Sequence, residues 1–477
     1  MVSQSNIETK DHPVSLLLLL SLYVFEVSTA LVLLGLWKKG SMALWPFLGT
    51  TAGIYFLAGA LALIVSTVFI CQQYVKCRQR DSRQFAFALV LNLMVVLPLF
   101  AVAETTVRVL SDETRTGPVF MNVRLFPRDW ETEAQHYMDM LRSGKTRKLG
   151  IFAPDNLLGW TIAPNSESDD GRYANSSEGI RSAQAGGSLT DLRPEVRVAL
   201  VGDSYTYAQD VSYELSWGNR LEQKLGSNYQ VLNFGVPGFG VDQAYLRYQR
   251  DAKPTAPDIV VLAFIPHDLV RTMTVYSFIR FPEWESPYSK PRYVVDSGEL
   301  RLLNEPLLEP VSIFETDAVE QLPLLEYEPG YRASEWNWRF FHNSYLVRFL
   351  TTKVAQWEQP RRETSGEALA EINSAVFKAF LEDVERAGSE PLILYLPAPS
   401  DFESDSIGRA RNLLEESDLP YVDATPCLKE LPPGERFVSI SGQRGHFTPA
   451  ANQILADLVH RKLTDKSADF GNGVCVL

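Results

Sequence analysis

Val196-Arg197-Val198-Ala199-Leu200-Val201 is an apolar run with one charge, and it stops abruptly at Gly202-Asp203-Ser204. A short apolar run closed by a turn signal reads as a buried strand. Three more such runs follow. Gln230 to Asn233 leads into Asn233-Phe234-Gly235-Val236-Pro237-Gly238. Ile259 to Phe264 leads into Ile265-Pro266-His267-Asp268, and Leu392 to Leu396 is the third. Between and after them, apolar residues recur at helical spacing in Leu215–Leu225, Gln243–Arg250, Glu367–Ala387 and Ala450–Lys462. Strands alternating with helices predict a parallel sheet with helices on both faces.

The N-terminal stretch reads differently. Pro13 to Trp37 is uncharged except for Glu26, and Ala43 to Cys71 and Phe85 to Ala103 carry no charge. Each is about long enough to cross a hydrocarbon core of roughly 30 Å as a helix. Three segments in series, with no small-residue cleavage site after the first, predict a membrane anchor rather than a signal peptide. The loop 72–84 holds Lys76, Arg78, Arg80 and Arg83, against Lys38 and Lys39 in the preceding loop. By the positive-inside rule the richer loop is cytoplasmic, so everything after about Glu104 is expected outside the cytoplasmic membrane. The expected organisation is an anchor over 1–104 (spans near 13–37, 43–71 and 85–103) and a stalk and lead-in over 105–195. A sheet domain over 196–465 follows, with an insertion near 270–363, and then a tail over 466–477. Within the lead-in, Thr132 to Ser143 could be helical.

Charge follows the same division. The first 104 residues hold seven Lys/Arg and five Asp/Glu, which leaves 38 basic and 53 acidic residues in 105–477. An acidic domain argues against nucleic acid as partner, since phosphates need a basic face. Cys71 and Cys77 are expected to remain thiols. Cys427 and Cys475 would face an oxidising compartment, where either a disulfide or two buried thiols is possible. No C-x-x-C pair or His-rich cluster suggests a metal.

In an open α/β sheet, ligands sit at the carboxyl ends of the strands, so the turns holding Ser204, Gly238 and His267 should converge there. Near the C-terminus, just before the last helix, stands Gly445-His446-Phe447. These blocks, in this order, resemble the SGNH (GDSL-type) hydrolase family. The likeness is nearer to its membrane-anchored bacterial members, which carry a lead-in like Asn175 to Arg181 and a segment like Lys290-Pro291-Arg292-Tyr293 before Leu300. It spans roughly 155–465 and implies a flavodoxin-like α/β fold. It also implies Ser204 as nucleophile, His446 as its base, and an oxyanion hole of the Ser204 and Gly238 N–H groups with the side chain at 267.

Two positions depart from the family pattern. Residue 267 is His where Asn is usual, though a neutral imidazole can still donate one N–H. The family's Asp, three residues before its His, is here Gln443. Gln443, Asp423 and Asp268 are the candidates to orient His446, as is a backbone carbonyl. The resemblance implies a membrane-anchored esterase or O-acyltransferase without cofactor or metal. It would act outside the cytoplasm on ester groups, of O-acetyl type, of a glycan or lipid-linked glycan, with polysaccharide-biosynthesis proteins as possible partners. The departures motivate an alternative: a catalytically silent domain that binds glycan or scaffolds an envelope pathway. No G-x-S-x-G elbow and no phosphate-binding loop is present. The aromatics of the insertion (Trp284, Tyr288, Tyr293, Trp336, Trp338) could line a sugar wall, and a local core is the preferred reading.

Overall fold

The computed structural model describes residues 82–465 except 145–149, 193, 356–365, 403–407 and 441–442, together with Cys475 and scattered positions before residue 82. The expected spans near 13–37 and 43–71 lie largely outside the described residues, as does the tail apart from Cys475. The third span falls within helix α1 (Ser82–Val109), which contains Pro98 and many of whose side chains lie outside the description. Among the described residues, no helix is long and apolar enough to cross a membrane.

The chain forms two compact units, one of residues 1–130 with 332–359 and one of 131–331 with 360–477. In the first, α1 is followed by an antiparallel meander of β1 (Asp112–Thr114), β2 (Gly117–Phe120) and β3 (Val123–Arg124). Glu104 near the end of α1 accepts hydrogen bonds from Ser344 Oγ at 2.7 Å and from the N–H groups of Tyr345 and Leu346 at 3.0 and 2.9 Å. It thereby caps the first turn of the helix Tyr345–Ala355.

The second unit is built on a parallel sheet of β8 (Val196–Gly202), β9 (Tyr229–Asn233), β10 (Ile259–Phe264), β13 (Glu390–Tyr395) and β14 (Val422–Asp423), ordered β14-β13-β10-β8-β9. Counted along the chain this is the order 2-1-3-4-5 of flavodoxin-like folds, whose ligand crevice opens where the first and third strands lie side by side. Here those are β8 and β10. Successive strand residues face opposite sides. Ala199, Val201, Leu232, Val260, Leu262 and Ile393 pack beneath α7 (Gly366–Arg386) through Val376, Phe377 and Phe380. Val198, Leu200, Val261 and Leu394 meet Trp217 and Leu221 of α4 (Trp217–Leu225) and Leu455 and Val459 of α8 (Pro449–Thr464). Both faces are covered by helices, as the run pattern implies.

The lead-in is where the expected boundaries and the structure part. Helix α2 (Trp130–Ser143) is present. The hairpins β4 (Phe152–Asp155) with β5 (Gly159–Ile162) and β6 (Ala174–Asn175) with β7 (Arg181–Ser182) are not a stalk. Their Ile151, Leu158, Trp160, Ile162, Tyr173 and Ile180 belong to the core of the sheet unit. The expected insertion also divides: residues to 331, including the hairpin β11 (Tyr293–Asp296) and β12 (Glu299–Leu302), stay with the sheet, while 332–359 belong to the other unit. Tyr288, Tyr293 and Trp336 are buried, as the local-core reading has it, and Trp338 is exposed.

Candidate active site

Gly202 ends β8 where the chain turns within contact of its neighbours. A Cβ there would lie 2.1 Å from Thr206 Oγ1 and 2.2 Å from the Ala263 carbonyl oxygen, so only glycine fits. Asp203 caps the short helix α3 (Ser204–Tyr207) by accepting the Tyr205 N–H at 2.8 Å, which sets Ser204 at the helix's first position. Its carboxylate is buried and is met by Arg271 Nη1 at 3.1 Å. Arg271 ends α6 (Pro266–Arg271) and also holds Asp268 at 2.5 Å. Burial and the Asp203 charge push the Asp268 carboxyl well up, against the pull of Arg271.

The turn after β9 is drawn to the same edge. Phe234 N–H donates to Leu200 O at 2.8 Å and Val236 N–H to Gly202 O at 3.0 Å. Asn233 Nδ2 donates to Thr206 O at 2.8 Å, and Trp160 Nε1 to Pro237 O at 3.1 Å. Gly238 follows with φ 88°, in the left-handed region. His267 lies in the first turn of α6 with its ring exposed, and no described residue hydrogen-bonds it. Loss of water on its protein side and the Arg271 charge lower its pKa, against Asp203 and Asp401, which favours the neutral imidazole.

His446 arrives on the ribbon β15 (Phe437–Ile440) with β16 (Gln443–Phe447). Its flank is tied to that of Ser204 through α8. Asn452 Nδ2 donates to Phe447 O at 3.1 Å, its Oδ1 accepts the Trp217 N–H at 3.1 Å, and Trp217 Nε1 donates to Tyr205 O at 3.1 Å. The Tyr205 ring packs against His446 with centroids 4.8 Å apart. The result is a chain of three side chains. Ser204 Oγ stands 2.8 Å from His446 Nε2, and His446 Nδ1 stands 2.7 Å from Asp210 Oδ2. The same carboxylate oxygen accepts the His446 backbone N–H at 3.2 Å.

Burial raises the pKa of Asp210, but the hydrogen bond and charge of the His446 ring, its backbone N–H and Arg172 outweigh this and hold the carboxyl below the usual range. An ionised carboxylate only accepts, so Nδ1 carries the proton and the Nε2 lone pair faces the Ser204 hydroxyl. This is the arrangement that activates a serine.

The sequence did not suggest Asp210. Of the residues it did offer for orienting His446, Asp268 is bound to Arg271 and the Ile265 N–H, and Asp423 to Arg411 and the Thr425 N–H. The side chain of Gln443 lies outside the described residues. Asp210 stands six residues after the serine, where no motif spacing ties an acid to the histidine. The one local sign is Ala208-Gln209-Asp210, where Ala208 and Asp210 take φ of 57° and 74° and turn the chain back toward α3. Among the described residues no group of three or more His, Cys, Asp or Glu could hold a metal ion.

No family model matches this chain, and no curated protein matches it. Solved structures do align with it. A lipase/acylhydrolase from Enterococcus faecalis aligns over 57% of this chain and 96% of its own, at 12% identity and TM-score 0.28. A catalytic mutant of Axe2, an acetylxylan esterase from Geobacillus stearothermophilus, aligns over 60% and 98% at 12% identity and TM-score 0.30. TesA aligns over 56% and 98% at 13% identity and TM-score 0.30. Likeness at this level carries no conclusion about activity.

Proposed function

We propose that the chain is a serine esterase or O-acyltransferase of SGNH type. The observation that carries this is the continuous Ser204–His446–Asp210 hydrogen-bond chain at the carboxyl edge of the sheet. Ser204 Oγ attacks the ester carbonyl carbon as its proton passes to His446 Nε2. The carbonyl π electrons move onto oxygen, where the Ser204 and Gly238 N–H groups and the neutral His267 ring are the donors assigned to hold the charge. Collapse restores the carbonyl and expels the alcohol, which takes the proton back from His446. Water, or a sugar hydroxyl, then attacks the acyl-serine with His446 again as base. The acid or the new ester leaves, and Ser204 regains its proton. Asp210 stays ionised throughout and steadies the imidazolium.

The substrate, in this reading, is an O-acyl, chiefly O-acetyl, ester of a glycan or lipid-linked glycan. The N-terminal segments anchor the enzyme, and the domain works outside the cytoplasm. The Cys427–Cys475 disulfide, with Cα atoms 4.5 Å apart, supports an oxidising compartment. The uncharged stretches at 13–37, 43–71 and 85–103 support the anchor. The silent-domain alternative drew on the missing acid before His446 and on His in place of Asn at 267, and Asp210 answers the first of these.

The test treats the full chain in mild detergent with a fluorophosphonate probe and follows p-nitrophenyl acetate turnover. Labelling and turnover are expected in the native chain and absent from Ser204→Ala and His446→Ala. A folded native chain that neither labels nor turns over would sink the reading.

A further inference from the structure

Asp210 can only serve His446 if its loop holds a shape the loop would not take alone. Two of its three central residues are left-handed without being glycine, which costs each about 1 kcal/mol or more. The carbonyls of Tyr207, Ala208 and Val211 all turn inward. One side chain meets all three. Arg181 Nη1 donates to Tyr207 O and, at 2.6 Å, to Ala208 O, while Nη2 donates to Val211 O at 2.6 Å. The guanidinium is buried and stands 5.1 Å from the Tyr173 ring centroid and 4.7 Å from that of Tyr207. Tyr173 Oη accepts the Asp210 N–H at 2.9 Å, and Tyr207 Oη donates to Asn175 Oδ1 at 2.9 Å. Tyr173, Asn175 and Arg181 all come from the β6–β7 segment, the lead-in for which the reaction itself gives no use.

We propose that Arg181 is a positioning residue for the reaction: it gathers the three carbonyls of the 207–211 loop and so sets the Asp210 carboxylate against His446 Nδ1. The planar fork matters, because three convergent acceptors need donors in fixed directions that a lysine ammonium does not supply. Arg181 touches neither Ser204 nor His446 and acts through Asp210. The inference rests on Asp210 being the triad acid.

The test is a cycle on the full chain with p-nitrophenyl acetate. Arg181→Lys, Arg181→Met and Tyr173→Phe are each made in the native chain and in Asp210→Asn. In the native chain, Arg181→Met is expected to lower kcat about 10- to 100-fold with KM little changed, the cost of misplacing a catalytic group by about an ångström. In the Asp210→Asn chain the same change should cost less than about threefold, because the group it positions is already gone. The His446 Nδ1–H proton resonance should be lost or shifted in Arg181→Met and in Asp210→Asn alike. Equal losses in both backgrounds would overturn the proposal, since Arg181 would then act independently of the acid. Full activity in Asp210→Asn itself would overturn the acid assignment and the proposal with it. Should the Arg181 variants not fold, Tyr173→Phe removes one hydroxyl that receives the Asp210 N–H. Its loss is expected to be smaller and likewise to vanish in Asp210→Asn, and equal losses would overturn the positioning role.

Discussion

Residues 202–211 carry Ser204 and Asp210 on one loop wedged between strand ends, whereas residues 443–447 bring His446 on a two-stranded ribbon with an irregular register between Phe437 and Ser439. The loop's conformation is enforced from outside by buried side chains: Arg181, Tyr173, Asn175 and Asn233. The described contacts of the ribbon include Asn452 at Phe447, the apolar packing of Phe437 and Phe447, and Asp210 and Tyr205 at His446. Nucleophile and acid therefore share one frame, and the base is the member that arrives from elsewhere, 236 residues along the chain from the acid. The serine–histidine and histidine–acid contacts both cross between frames, so any slack falls on the imidazole at both ends at once.

The largest effect expected of this division is at Asp210. Asp210→Asn keeps the loop's shape and should lower kcat by about 10⁴-fold, the order seen when a triad carboxylate is neutralised. Steady-state kinetics on a small ester checks it, and a loss under about tenfold would mean the frame, not the charge, matters there.

The turn that carries Gly238 gives the next test, because α5 (Val241–Arg247), the helix that follows it, is pinned by a buried ion pair. Lys290 Nζ meets Asp242 Oδ2 at 2.6 Å with both side chains shielded from water. Burial pushes Asp242 up and Lys290 down, each toward its neutral form, and their attraction opposes this. Lys290→Met leaves the carboxylate alone in the core and should cost about 3–5 kcal/mol in denaturant unfolding. A cost near zero would mean the pair is already neutral.

On the ribbon's side of the molecule, Cys427 lies in the core that holds α8 and is bonded to Cys475. Cys427→Ser with Cys475→Ser should cost about 2–4 kcal/mol of stability. Turnover below the lowered melting temperature should be nearly unchanged, and a matching loss of kcat would show that the disulfide also helps to place His446.

The smallest effect is in pH. Asp210 has a folded pKa below its unfolded value of about 3.9, so around that pH the native state binds fewer protons at this group than the unfolded state does. Its contribution to stability is therefore fully present above about pH 4 to 5 and is lost as pH falls through the depressed native value. The stability difference between the native chain and Asp210→Asn should stay flat from neutrality down to about pH 5 and shrink below it. Thermal melts across that range check the sign.

Much of this architecture was legible because it rests on local periodicity. The run Ile259–Phe264 is β10, and the amphipathic stretch 367–387 falls on α7 within a residue or so. Leu392–Leu396 and Ala450–Lys462 fall on β13 and α8 to within two residues at each end. The lead-in was not legible, because β6 and β7 are two residues each and leave no pattern to count. Its buried Arg181 also looks like any surface arginine until its carbonyl partners are known. The acid was hidden for a related reason. Spacing along the chain locates partners within one element, and Asp210 reaches His446 only through a backbone reversal that no residue count expresses.

At φ 74° the backbone of residue 210 accepts glycine, asparagine and aspartate far more readily than any longer or branched side chain. Only one of those three carries a charge. Glutamate, interchangeable with aspartate at many surface positions, is excluded here twice over, by the bend of the main chain and by a methylene that would overrun the 2.7 Å contact. The alphabet open to this site has a single acidic letter.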